Sequence, residues 1–144
     1  SGSASMSGKA VFNVAYRHNQ ANSDYGVTQY SSNATVNGTL NWGSGSYSGQ
    51  LDFTNFDSGN SLVSNAGFTS FSVSLAGSGA TYAGSLNDTN NGWTREAVIA
   101  GALYGNNTPV ESGGRISVGL SKSGSLGTSG ANDFYMAEGI YLID

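Results

Sequence analysis

The sequence predicts an all-β fold, an antiparallel eight-stranded β-barrel, and three observations lead to this prediction. Gly, Ser, Asn and Thr, which are poor residues for a helix interior, make up 71 of the 144 residues. Eight Tyr, six Phe and two Trp argue against a disordered chain, because so many aromatic side chains indicate a core that buries them. Apolar residues alternate with small or polar ones along most apolar segments, which is typical of strands with one wet face.

Six alternating segments are predicted strands with their apolar face toward the core. They are residues 10–16, 36–42, 47–53, 70–75, 82–86 and 115–120. Two more segments, 95–104 and 134–143, are apolar at nearly every position, which predicts strands buried on both faces or packed against another element. Eight strands suit a barrel or a sandwich. A closed barrel is favoured because low surface charge protects open sheet edges poorly. The many large apolar residues favour a filled core over a ligand cavity.

A weak repeat of the form apolar-x-Gly-x-Leu begins at Val36, Tyr47 and Tyr82. Glycine on an inward strand face makes space where a large neighbour crosses. The repeat therefore predicts a packing role and carries no functional assignment.

The connections are predicted from Gly, Asn and polar runs. Residues 43–45, 77–79 and 90–92 are predicted turns, since Gly and Asn tolerate positive φ. Residues 17–32 and 121–131 are predicted to be long flexible loops. Residues 55–65 form a third polar connection, in which Leu62 and Val63 could add a short edge pairing. Residues 108–111 could form one helical turn.

Length and composition limit the classes of function. The 144 residues suit one domain, 1–144, of which residues 1–8 are expected to be flexible or the remnant of an added sequence. No apolar run reaches the ~20 residues that span a bilayer, and no signal peptide is visible. The net charge is −4 and the five basic residues are scattered, which argues against binding to nucleic acid or to an anionic membrane surface. With no cysteine, disulfides and thiolate chemistry are excluded.

One two-part motif is similar to a known family. Residues 101–105 read Gly-Ala-Leu-Tyr-Gly, and residues 111–114 read Glu-Ser-Gly-Gly. This pattern resembles the C-terminal barrel of the transferrin-binding-protein-B-like surface proteins of Gram-negative bacteria. The resemblance implies a barrel that scaffolds binding loops at the cell surface. Its motif residues are Gly101, Tyr104, Gly105, Glu111, Gly113 and Gly114.

The motif also has a structural interpretation. Gly101 and Gly105 would let the backbone bend around Tyr104. Glu111 would accept backbone N–H bonds in the turn, and Gly113 with its neighbour would start the next strand with an unusual dihedral. On this interpretation Tyr104 and Glu111 hold a barrel corner together.

Four sequence features are candidate functional sites. His18 and Tyr16 are a pair that could ligate haem iron, although a lone His in a polar loop is commonly a surface residue. Trp42 and Trp93 flank turns and could stack on a sugar or anchor a protein, or be buried at a barrel mouth. Residues 88–92 place oxygen ligands at alternate positions, as at the start of a calcium loop, or form a β-turn. The fourth feature is a set of charges in or beside apolar stretches. Paired carboxylates among them could serve acid–base chemistry, or the charges form an ion pair at a barrel end. The set comprises Arg95, Glu96, Asp133 and Glu138.

The function predicted from these features is non-catalytic binding. No nucleophile elbow, phosphate loop, zinc pattern or dinucleotide fingerprint is present, so no enzyme, metal site or cofactor is predicted. We expect a secreted or outer-membrane surface protein of a Gram-negative bacterium that captures a host protein or nutrient carrier through loops near 18–30, 57–65 and 121–131. Two alternatives stay open: a structural spacer domain of a larger adhesin, and a small-ligand carrier of the haem type.

Overall fold

The chain forms a closed antiparallel barrel of eight strands in sequence order. A computed structural model describes residues 2–17, 27–105, 111–122 and 133–144. Each strand pairs with its neighbours along the chain, and β1 pairs with β8 to close the barrel. The predicted fold class is confirmed, and the sandwich alternative is excluded. The elements are β1 (Gly2–Arg17), β2 (Thr28–Trp42), β3 (Ser46–Thr54), α1 (Ser61–Asn65), β4 (Phe71–Ser78), β5 (Thr81–Asn90), β6 (Trp93–Tyr104), β7 (Glu111–Lys122) and β8 (Asp133–Ile143).

Several strands are longer than their alternating segments indicate. Residues 2–8, expected to be flexible or the remnant of an added sequence, belong to β1 and pair with residues 36–42 of β2. Residues 28–32, expected to be part of a flexible loop, belong to β2 and pair with residues 12–16 of β1. The loop expected at 28–32 is wrong, and residues 2–8 are a paired strand, because strand propensity depends on context. Ser-rich and Gly-rich segments carry little strand signal of their own, and pairing with the neighbouring strand determines where they begin.

The two ends of the barrel differ. Because consecutive strands are antiparallel, the β1–β2, β3–β4, β5–β6 and β7–β8 connections lie at one end and the other three lie at the opposite end. Residues 55–70, which we call the plug, pack into the first end, which we call the plugged end. The opposite end, with short turns at 43–45 and 79–80, is called the hairpin end.

The plug is part of the hydrophobic core. Leu62 and Val63 are fully buried and lie in α1, so the predicted edge pairing at these residues is wrong. Asn60 caps this helix, since its Oδ1 accepts a hydrogen bond from the Leu62 amide at 2.9 Å. Phe56 and Phe68 on either side of the helix are also fully buried, with ring centroids 6.1 Å apart. Apolar burial therefore holds this connection in the mouth of the barrel.

Buried side chains from all eight strands form one hydrophobic cluster inside the barrel. Close packing explains why the apolar-x-Gly-x-Leu repeat has glycine at position 38. A Cβ on Gly38 would lie 2.8 Å from Ile143 Cδ1 and 2.9 Å from Leu51 Cδ2, so only glycine leaves room for these two side chains. The packing role predicted for the repeat is confirmed at this position.

The outer surface of the barrel has two chemically different sides. Outward residues of β2 to β5 are Ser, Thr, Asn, Gln, Ala and Asp in the part of the chain that the structure describes. Large apolar side chains point outward from β1, β6 and β8, where Val98 is 56% exposed and Ile140 64%. The prediction that segments 95–104 and 134–143 are covered on both faces is therefore wrong: no described residue covers their outward side chains. The exposed set comprises Val11, Val98, Tyr104, Met136, Ile140 and Leu142.

Candidate functional site

A hydrogen-bonded cluster around Asp57 joins the plug to the barrel wall. The Asp57 side chain is buried, and its Oδ2 accepts from the Tyr30 hydroxyl and from Tyr135 Oη, the latter at 2.9 Å. Its Oδ1 accepts from Ser32 Oγ at 3.1 Å. Asn60 Nδ2 donates to Tyr30 Oη at 2.8 Å. The carboxylate belongs to the plug and its three hydroxyl donors belong to β2 and β8, so the cluster fixes the plug relative to both strands.

The electrostatics of this cluster keep its tyrosines protonated. Burial raises the pKa of Tyr30 and of Tyr135 above the ordinary value of 10.0, and the neighbouring Asp57 raises both further. Both hydroxyls therefore remain hydrogen-bond donors at neutral pH. Three hydroxyl donors bind the two carboxylate oxygens, so the arrangement fixes the position of the plug.

Tyr16 lies at the same end, beside the cluster. Its ring packs edge-on against Tyr30, with ring centroids 5.9 Å apart. His18, its predicted partner in haem ligation, lies outside the described residues. Haem ligation by this pair stays a prediction.

Arg95 connects β6 to the plug. Its Nε and Nη2 donate to both carboxylate oxygens of Asp88, at 2.6 and 2.7 Å, and its Nη1 donates to the carbonyl oxygens of Ala66 and Gly67 at 3.1 Å. Its guanidinium carbon lies 5.5 Å from the centroid of the Phe68 ring. Hydrogen bonding between the two charged groups lowers the pKa of Asp88 and raises that of Arg95. The plug is thus held from a third strand.

The ion pair expected at a barrel end exists, with a different acidic residue. Arg95 pairs with Asp88, whereas Glu96 accepts from Asn87 Nδ2 at 3.1 Å. Asp133 is buried at the plugged end, and Glu138 points outward in the middle of β8. The structure therefore does not bring the four predicted charges together.

Residues 88–92 comprise the end of β5 and the turn that leads to β6. Asn91 has φ 52° and Gly92 has φ 79°, which are the two left-handed residues of a tight hairpin turn between β5 and β6. Asp88, the first predicted calcium ligand, is bound to Arg95 instead. The turn prediction is confirmed.

The two tryptophans lie at opposite ends of the barrel. Trp93 is buried at the plugged end, with Lys122 Nζ 5.9 Å from its ring centroid. Trp42 is half-buried at the hairpin end, where a Cβ on Gly2 would lie 2.6 Å from its ring. The two rings therefore cannot belong to one binding surface.

The family-like motif lies at the hairpin end, around a pair of buried tyrosines. Tyr82 Oη lies 2.5 Å from Tyr141 Oη and 2.6 Å from Ser112 Oγ. Gly101 and Gly114 pair across β6 and β7, and a Cβ on Gly101 would lie 2.3 Å from Tyr141 Oη. These glycines leave room for the two phenol groups, which is a packing role that the sequence did not predict.

The remaining motif residues only partly match their structural interpretation. Tyr104 and Glu111 are cross-strand partners, and both side chains are exposed. Gly105 has φ 136°, as the predicted bend requires. Gly113 does not have a positive φ, so the predicted unusual dihedral at the start of β7 is wrong. The Glu111 side chain makes no hydrogen bond to any described residue, and the turn at 106–110 lies outside them.

The loops predicted to bind a partner begin and end at the plugged end. Residues 18–26 and 123–131 lie outside the described part of the chain, although the strands that they join end there. Residues 57–65 belong to the plug, whose outer surface is small and polar. We call the exposed residues of the plug and of the neighbouring turn the rim. The rim comprises Ser58, Gly59, Ser61, Ser64, Asn65, Asn91 and Gly92.

Sequence reasoning missed the residues that organise this end. Tyr30, Asp57 and Tyr135 come from three separate segments, and no spacing within the chain relates them. One signal was present: Phe56 and Phe68 lie on either side of an apolar pair in this connection, and large apolar residues so placed indicate a segment that turns inward.

Within residues 2–17, 27–105, 111–122 and 133–144, no group of three His, Asp or Glu side chains could hold a metal ion. No described helix has the length and apolar character needed to cross a bilayer. No protein-family model matches the chain, and no curated protein matches it.

Proposed function

We propose that this chain is a non-catalytic binding domain of a Gram-negative surface or secreted protein, and that it captures a host protein or nutrient carrier at the plugged end. The family-like motif supports the cellular setting. The observation that carries the location is the plug, which displays an ordered polar rim where the longest connections also begin and end. The short turns at 43–45 and 79–80 give the hairpin end less surface for recognition.

The way in which the plug is held supports recognition by a preformed surface. Asp57 joins it to β2 and β8, and Arg95 joins it to β6. A surface that is already fixed loses little conformational entropy when a partner binds, so more of the contact free energy appears as affinity. The rim is therefore suited to bind a protein surface through hydroxyl, amide and backbone groups.

The interior of the barrel favours a protein ligand over a small one. Inward side chains of all eight strands are buried against one another, and Phe56 and Phe68 fill the plugged mouth. A carrier of the lipocalin type would instead need interior space for its ligand.

A retention experiment tests the proposal with two matched charge-adding variants. The rim variant carries Ser58→Arg and Ser64→Arg, and the hairpin-end control carries Ser44→Arg and Ser78→Arg; all four positions are exposed. Each immobilised protein is exposed to vertebrate serum, and retained proteins are identified by mass spectrometry. We expect wild type and control to retain the same serum protein and the rim variant to lose at least about tenfold in retention.

Three results would count against this function. Equal retention by the rim variant and the control would move recognition away from the plugged end. Retention of no serum protein by wild type would favour the spacer alternative. A haem titration is run in parallel, because a Soret band that His18→Ala abolishes would replace protein capture with haem carriage.

A further inference from the structure

Five outward side chains of β1, β7 and β8 form a surface centred on Ile140. The cross-strand partners of Ile140 are Val11 on β1 and Arg115 on β7. Glu138 and Leu142 lie two residues before and after it on the same face of β8. We call these five residues the Ile140 patch.

The patch combines three exposed apolar side chains with two exposed charged ones. Val11, Ile140 and Leu142 are 56%, 64% and 60% exposed. The side chains of Arg115 and Glu138 are exposed, and neither side chain makes a hydrogen bond or ion pair with another described residue. Contiguous exposed apolar surface on a soluble domain commonly marks a contact site. The side formed by β2 to β5 has no comparable surface among the described residues.

We infer that the Ile140 patch binds a second copy of this chain about a two-fold axis. Neighbouring strands lie about 4.8 Å apart, and residues two apart on one strand lie about 6.8 Å apart. Arg115 and Glu138 therefore stand at similar distances from Ile140, in directions roughly at right angles. A two-fold axis that runs diagonally across the sheet through Ile140 exchanges these two directions. It places Arg115 over the partner's Glu138, and Val11 over the partner's Leu142.

This arrangement makes the patch complementary to itself. Ile140 packs on the partner's Ile140, and two symmetry-related ion pairs flank that contact. The strands of the two copies cross at nearly a right angle, which is one of the two common ways in which sheets pack. Lys9 is the cross-strand partner of Leu142, and the two-fold axis brings it near the partner's Lys9. The long side chains of both lysines can extend to solvent. The presence of both charges in positions that the axis exchanges favours a second copy over an unrelated partner.

The expected association is weak, because two convex barrel surfaces touch over a limited area. Sedimentation equilibrium is therefore measured over a concentration series up to about 1 mM, where a dissociation constant in the micromolar to millimolar range leaves a measurable dimer. The variants are Arg115→Glu, Glu138→Arg, the double exchange of both, and Ile140→Ser. Thr39→Arg is the control, because Thr39 is exposed on the outer face of β2, outside the patch and six residues from Asn33, the β2 partner of Val11.

The single and double charge variants test whether Arg115 and Glu138 face each other across the dimer. We expect wild type, Thr39→Arg and the double exchange to dimerise with similar constants. Each single reversal should weaken the dimer by about tenfold or more, because it juxtaposes like charges twice. Ile140→Ser should also weaken the dimer, and far-UV circular dichroism checks that each variant is folded.

Three results would overturn the inference. The first is a wild type that stays monomeric up to about 1 mM. The second is a dimer that both single reversals leave unchanged. The third is a double exchange that fails to restore association, since the diagonal two-fold requires Arg115 and Glu138 to face each other.

Discussion

At the scale of single residues, Asp57 joins the plug to two strands, although its place in a polar connection gives no sign of this role. It accepts hydrogen bonds from Tyr30, Ser32 and Tyr135, and it is buried with a left-handed backbone at φ 39°. Asp and Asn tolerate this backbone better than other residues with side chains. The residue therefore meets a backbone requirement and a hydrogen-bonding requirement together.

Asp57→Asn removes the charge while keeping a residue that tolerates positive φ. An amide has only one acceptor oxygen, so at least one buried hydroxyl loses its partner, and the free energy of unfolding should fall by about 1–3 kcal/mol. Urea denaturation measures this fall. The control is Asp52→Asn, which changes a carboxylate on the outer face of β3 and should cost about 0.5 kcal/mol or less. Equal costs for the two variants would contradict a special role for Asp57.

Gly101 is the second residue whose identity the packing determines. A Cβ there would lie 2.3 Å from Tyr141 Oη and 2.6 Å from the Tyr82 ring. Gly101→Ala should therefore lower the free energy of unfolding by about 1–3 kcal/mol, because the tyrosine pair must move. Gly119→Ala is the matched control on β7, where the nearest atom lies 3.9 Å away, and its effect should be near zero. Comparable urea midpoints for both variants would refute the packing role.

At the scale of elements, the plug contains the least autonomous segment of the fold. α1 has five residues, which is too short for a helix that is stable by itself. Its position depends on the buried Leu62 and Val63 and on the cap at Asn60, which bonds both the Leu62 amide and Tyr30.

Asn60→Ala removes the cap and the bond to Tyr30. The free energy of unfolding should fall by about 1–2 kcal/mol. Amides of residues 61–68 should also exchange faster by hydrogen–deuterium mass spectrometry, because the plug would open without unfolding the barrel. Asn65→Ala, an exposed position at the other end of α1, should change neither quantity. An exchange rate in the plug that stays at its wild-type value would show that Asn60 does not hold this segment.

The elements also show how far the sequence predicts the fold. Alternation identified six of the eight strands, and nearly continuous apolar character identified the other two. Both patterns are local, because each strand buries an apolar face. The first residues of β1 and β2, at 2–8 and 28–32, and the helix α1 depend on partners distant in sequence, so local pattern missed them. The candidate site is harder still, since Asp57 and Tyr135 are 78 residues apart and barrel closure brings them together.

At the scale of the whole molecule, buried tyrosines lie at both ends of the barrel. Burial is the largest cause that raises the pKa of Tyr30, Tyr82, Tyr135 and Tyr141 above 10.0. The unfolded chain releases these protons near pH 10, whereas the folded chain keeps them. Above that pH the unfolded state binds fewer protons, so stability is fully present below it and falls as pH rises.

The four tyrosines are therefore predicted to make the protein less stable at alkaline pH. The free energy of unfolding should decline above about pH 10, by about 1.4 kcal/mol per pH unit for each of Tyr135 and Tyr141. Urea midpoints between pH 8 and pH 11.5 measure the slope. Tyr141→Phe should flatten it by about that amount. A slope that Tyr141→Phe leaves as steep as in wild type would contradict the assignment.

The central claim is that the plugged end is where this barrel meets its partner. The most direct measurement is hydrogen–deuterium exchange of the full chain, free and saturated with the serum protein that it retains. Peptides that cover the plug and the turn at 91–92 should become protected, while those that cover 43–45 and 79–80 should keep their free exchange rates. Protection confined to the hairpin end, or no protection at the plug, would contradict the claim.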